Sequence, residues 1–155
     1  MTEVKPIAFE SVQGLDEIVK IKVDPNGEQR ISKTKRGTLI YIGEAIWKEE
    51  AVVLLEKFPA GETMRWAFWF DEVHYILAGK AEMTYLLPSS RFSVEKKMTV
   101  QAGDTYLIPK GADITWKVDP SEPFFHYCVI MPGFKPYDPR HMSSEARGGV
   151  YWDKD

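Results

Sequence analysis

ETMRWAFWFDEVHYILAGKAEMTYLL, residues 62–87, holds three β-type runs broken by turn punctuation. ETMRWAFWF (62–70), EVHYILAG (72–79) and AEMTYLL (81–87) are each rich in aromatic and branched residues. Gly79 closes the second run and marks a turn. Runs this short cannot be long amphipathic helices, so the segment reads as consecutive strands.

The same rhythm extends in both directions. Downstream come FSVEKKMTV (92–100), DTYLIP (104–109), ITWKV (114–118) and FFHYCVIM (124–131). Upstream, GTLIYIG (37–43) is strand-like, and IVKIKV (18–23) alternates Val19, Ile21 and Val23 with lysines. DPNGE (24–28) is a turn signal. EAIWKEEAVVLLEKF (44–58) is ambiguous: its first half has helix propensity, while AVVLL followed by FPAG ends like a strand. Strands at this spacing predict an all-β sandwich or barrel.

Composition bounds the function. The chain has 155 residues, enough for one domain with a sizeable core. A net charge of -3, from 20 basic and 23 acidic residues, disfavours a nucleic-acid partner. No apolar run approaches the roughly 18 residues of a membrane helix. The first ten residues hold no apolar signal segment, and Cys128 has no second cysteine to pair with. These features predict a cytoplasmic protein with no membrane partner. Within FFHYCVIM, Cys128 reads as a small buried hydrophobe rather than a catalytic thiol. The basic cluster KTKRG (33–37) reads as a solvated turn.

Two stretches carry a family resemblance. PAGETMRWAFWFDEVHYILAGKAE (59–82) resembles the first motif of the cupin superfamily through Gly61, Glu72, Tyr75, Ile76, Leu77 and Gly79. GDTYLIPKGADITW (103–116) resembles the second through Gly103, Asp104, Pro109 and Gly111. WFDEVHYILAG and YLIPKGADITW look most like the ethanolamine-utilisation-type cupins, which lack the full histidine set. The resemblance implies a small antiparallel double-stranded β-helix, or jelly-roll, with its site inside the barrel. It covers about residues 37–131, the barrel, and leaves an N-terminal strand and arm (1–36); the Pro-, Gly- and Ser-rich stretch from Pro132 onward reads as a C-terminal arm (132–155) that includes His141, Tyr151 and Trp152. The resemblance also implies a homodimer, which would cover outward-facing Trp69 and Tyr75.

The metal ligands are where the sequence departs from the family. Counted back from Glu72, the paired cupin histidine positions hold Trp66 and Phe68 at the shorter family spacing and Arg65 and Ala67 at the longer one, the last histidine position holds Ile114, and of the usual ligands Glu72 alone remains. One carboxylate does not hold a transition metal tightly, so no metal or other cofactor is expected in the standard position. The family positions place Trp66 and Phe68 inward, with Met64 on the same face. They place Glu72, His74 and Ile76 on one inward face, and pair Ile114 with Trp116 on another. The implied cavity has walls of Trp66, Phe68, Ile76, Ile114 and Trp116, with Glu72 and His74 inside.

A carboxyl group so placed should have a raised pKa and could serve as a general acid or base, with His74 as proton partner. The alternative is a structural pair. By resemblance to ectoine synthase, Tyr106 joins Glu72 and His74 as a displaced metal set, which His126 would complete if it faces inward; the alternative for Tyr106 is a core tyrosine. The sequence therefore predicts a small-molecule-binding cupin for a partly apolar or aromatic ligand. A metal-independent lyase, isomerase or cyclase using Glu72 and His74 is one form, and a non-catalytic accessory module of a catabolic pathway is another.

Overall fold

A computed structural model describes residues 18, 20–47, 51–68, 70–88 and 94–131. They form eleven strands: β1 (Gln29–Thr34), β2 (Gly37–Ile42), β3 (Ile46–Trp47), β4 (Val52–Phe58), β5 (Thr63–Ala67) and β6 (Asp71–Ala78), then β7 (Lys80–Leu86), β8 (Lys96–Gln101), β9 (Thr105–Ile108), β10 (Asp113–Val118) and β11 (Phe124–Met131). Every pairing is antiparallel. One sheet runs β1-β2-β4-β11-β6-β9, with β3 added on β4, and the other runs β5-β10-β7-β8. Among the described residues no helix is long and apolar enough to cross a membrane.

Alternation gives each strand one row that faces the core between the sheets. β4 contributes Val52, Leu54, Glu56 and Phe58, β6 contributes Glu72, His74 and Ile76, and β11 contributes Phe124, His126, Cys128 and Ile130, all buried. The opposite sheet answers with Met64 and Trp66 from β5, Ala81 and Met83 from β7, and Ile114, Trp116 and Val118 from β10. The apolar members of these rows form one core cluster. A second cluster, Ile40, Ile42, Leu55 and Phe125, lies on the other face of the larger sheet. That face also carries exposed Tyr75, Leu107 and Met131. Trp69 lies outside the described residues.

The expected strand over 18–23 is a correction. Its described residues are irregular, and Ile18 is 98% and Val23 43% exposed; Val19 lies outside the described residues. The alternation there is real, but among the described residues no strand pairs with it, and an unpaired strand does not hold in water. β1, which the sequence did not single out, is secured instead by pairing residue for residue with β2. The basic stretch 33–37 is the turn of that hairpin, as expected, with the Thr34 hydroxyl accepting from the Arg36 amide.

The turn at Gly79 packs closely on the start of β11. Gly79 sits at φ +87°, and an added Cβ would strike the Pro123 carbonyl oxygen and approach the Phe124 Cα to 2.9 Å. The end of β6 and the start of β11 thus meet at a point with no room for a side chain. Gly103 has a similar φ of +91° but nothing within 4 Å of an added Cβ. Gly103→Ala should cost about 1–2 kcal/mol of backbone strain. Gly79→Ala should cost roughly 1–3 kcal/mol more, because backbone must move. Urea unfolding of the two variants checks this; equal losses would show that the β6–β11 contact yields freely.

Candidate functional site

The inward rows of β4, β11, β6 and β9 bring a set of polar side chains into an otherwise apolar interior. Cys128 lies opposite His74 across the β11–β6 ladder, and His74 lies opposite Tyr106 across β6–β9. His126 lies opposite Glu56 across β11–β4. The cross-strand register therefore assembles Glu56, Glu72, His74, Tyr106, His126 and Cys128 without any loop.

The centre is a triangle. Glu72 Oε2 is 3.0 Å from His74 Nε2, Cys128 Sγ is 3.1 Å from the same carboxylate oxygen, and Cys128 Sγ is 3.1 Å from His74 Nε2. The other ring nitrogen of His74 is 3.2 Å from the Tyr106 hydroxyl, which also accepts from Trp116 Nε1 at 3.1 Å. His126 stacks on His74 with ring centroids 4.6 Å apart, and its Nε2 is 3.1 Å from Glu56 Oε2. His126 Nδ1 is buried with no hydrogen-bond partner. Aromatic rings enclose the set: Trp116 stacks on His74, Phe68 meets both edge-on, and Phe58 and Phe124 contact His126.

Burial governs the protonation states. It raises the Glu72 pKa well above the usual carboxylate range, and the charge of Glu56 raises it further, against a smaller opposing effect of the Cys128 hydrogen bond. Burial lowers the His74 pKa well below that of a free imidazole, helped by the neighbouring His126. The Glu72–His74 contact is thus a neutral hydrogen bond: the carboxylic acid donates to Nε2, and Nδ1–H donates to Tyr106. Burial, then Glu56 and Glu72, raise the Cys128 thiol, so it stays S–H and donates to Glu72. Burial also raises the Tyr106 phenol.

The structure places each sequence-predicted residue as follows. Glu72, His74, Tyr106 and Trp116 are joined by hydrogen bonds and ring contacts, with Phe68 against them. Trp66, Ile76 and Ile114 are buried in the same core cluster, with Trp66 opposite Ile114 on the facing sheet. His126 faces inward and is fully buried. His141 lies outside the described residues. The family metal position offers no donor beyond Glu72, because Trp66, Phe68 and Ile114 supply none.

Two members escaped the sequence reading. Cys128 is buried, as expected of a small hydrophobe, but its sulfur is engaged by Glu72 and His74. Glu56 was not singled out; its signal was its place in step with Val52, Leu54 and Phe58 on an apolar row.

A profile of the ethanolamine utilisation protein EutQ family matches residues 51–133. No curated protein sequence matches significantly. Among solved structures, the Clostridium difficile EutQ protein aligns at 16% identity over 61% of this chain and 69% of that one, with a TM-score of 0.45. A putative ethanolamine utilization protein from Salmonella typhimurium aligns at 17% identity over 68% and 80%, with a TM-score of 0.49. The Lactobacillus farciminis oxalate decarboxylase formate complex aligns at 17% identity over 73% of this chain and 37% of that one, with a TM-score of 0.54. At that identity the oxalate decarboxylase likeness bears on the fold alone, a cupin jelly-roll.

The protonation states give a pH signature for the metal-free protein. Folded Glu72 keeps its proton above the ordinary 4.5, so the unfolded chain binds fewer protons there and stability falls as pH rises. Folded His74 refuses a proton that the unfolded chain takes below 6.5, so stability also falls as pH drops below that value. Glu72→Gln removes only the first effect. From about pH 4.5 upward, wild-type stability relative to Glu72→Gln should fall by up to about 1.4 kcal/mol per pH unit. Chemical unfolding of both proteins across pH checks this; parallel profiles would contradict it.

Proposed function

Because this chain belongs to the family of the ethanolamine utilisation protein EutQ, we propose that it binds a small organic molecule inside the barrel, against Glu72, with proton transfer as the chemistry it supports. The observation that carries this reading is the Glu72–His74 hydrogen bond of 3.0 Å, set among apolar walls where the fold's usual metal donors are replaced. Such a pair can pass a proton to or from a bound molecule: Glu72 gives or takes it, and His74, oriented by Tyr106, holds the carboxyl in place. Trp66, Phe68, Ile76, Ile114 and Trp116 would supply the apolar contact, which suits a ligand that is small and partly apolar. The reaction classes that fit are lyase, isomerase or cyclase chemistry within a catabolic pathway, and a single buried cysteine suits a reducing cytoplasm.

A second reading, a non-catalytic accessory module, is favoured by one observation. Phe58, Phe68, Trp116 and His74 touch one another across the interior, with ring centroids 5.4–6.3 Å apart. Rings in contact leave less space for a substrate.

The test pairs a thermal-shift panel with turnover assays. The panel holds ethanolamine, related two-carbon amino alcohols, aldehydes and carboxylates, and small aromatic acids. A compound that stabilises wild type should bind Glu72→Gln about tenfold more weakly, the loss of one hydrogen bond to the carboxyl group. Glu72→Gln should itself be as stable as wild type at neutral pH or more so. Binding without turnover would favour the accessory module. A variant that unfolds more easily yet binds normally would make Glu72 a scaffold residue.

A further inference from the structure

The polar cluster holds more donors than a proton-transfer pair needs. Among the described residues, one donor atom each from His74, His126 and Cys128 lies within 4.8 Å of the others, and all three side chains are buried. Tetrahedral zinc, with bonds of about 2.0–2.3 Å, sets its ligands roughly 3.3–3.8 Å apart, so small side-chain adjustments suffice.

Three further observations point to a cation. His126 Nδ1 is a buried, unpartnered nitrogen, a costly state unless something takes its lone pair. The other nitrogen of each ring already has an orienting partner, Glu56 on His126 Nε2 and Tyr106 on His74 Nδ1. That is the outer layer that histidine ligands to metals usually carry. Two acidic side chains, Glu56 and Glu72, are buried beside these rings, oxygen groups that suit a neighbouring cation.

We propose that His74, His126 and Cys128 bind a zinc-class divalent ion, displaced from the position where cupins hold theirs, with the fourth position facing Glu72. His74 would bind through Nε2 and His126 through Nδ1. Cys128 would bind as the thiolate, its proton passing to solvent as the metal–sulfur bond forms, with no redox change. A mixed nitrogen and thiolate set suits zinc or cobalt and disfavours magnesium or calcium. Glu72 Oε2 stands 3.0–3.1 Å from two of the proposed ligand atoms, so a molecule on the open position would meet the metal and Glu72 together. The inference rests on the reading of this cluster as the chemical centre and adds the cofactor that centre takes.

Full-length protein, stripped of metal, is titrated with Co2+ and then with Zn2+. The expected result is saturation at one Co2+ per chain, with a near-ultraviolet thiolate-to-cobalt band and tetrahedral visible absorption, both lost on adding Zn2+. Cys128→Ser should lose the near-ultraviolet band, and Glu56→Gln, which leaves all three ligands, should weaken binding by about 10- to 100-fold. No saturable binding to folded wild type, or binding without the thiolate band, overturns the proposal whatever the variants do. The organic-ligand panel is read separately: metal without any responding compound spares this inference and counts against the function reading, and a responding compound without metal does the reverse.

Discussion

The pairing of β6 with β11 sets Cys128 opposite His74, and the chemistry of the barrel follows from that register. Two residues along β6 stands Glu72, and two residues along β11 stands His126, both inward by alternation. A one-residue slip of β11 against β6 would turn the thiol of Cys128 and the imidazole of His126 to the outer face, away from Glu72 and His74 on β6. At one end of this pair the Gly79 turn packs directly on the backbone at Pro123 and Phe124, and a register shift between Phe125 and His126 separates that contact from the polar rows.

The cluster is also a stability problem. Glu56, Glu72, His74 and His126 are all buried between apolar rows. The interior accommodates them by neutralising what it can and bonding most of the rest. Glu72 keeps its proton, His74 stays uncharged, and Tyr106 joins His74 to Trp116. His126 Nδ1 is the one buried side-chain polar atom among the described residues left without a partner. At the positions that the cupin resemblance assigns to metal-binding histidines, buried Trp66, Phe68 and Ile114 fill the barrel with hydrocarbon, and the buried polar side chains gather toward β11.

Much of the fold was legible in the sequence because short strands and their turns are local signals. Gly79 and the runs flanking it sufficed to place β6 and β7. The 18–23 segment misled because alternation reports a face and not a partner. The inward position of Glu72 was legible through the cupin resemblance, and parity along the strand extended it to His74. The facing of His126 was not, because apolar residues occupy both faces of β11: Phe124 and Cys128 on one, Phe125 and Val129 on the other. Glu56 and Cys128 entered the site only through cross-strand register, a long-range property that no single run of sequence encodes.

The central claim is that Glu72 and His74 form an uncharged pair inside the barrel, with the imidazole proton on the Tyr106 side. Nitrogen chemical shifts of the His74 ring, followed by NMR in metal-free protein from pH 5 to pH 8, test it most directly. One neutral tautomer, protonated at Nδ1, is expected, with no titration across that range. A His74 ring that titrates with a midpoint near the ordinary 6.5 would contradict it.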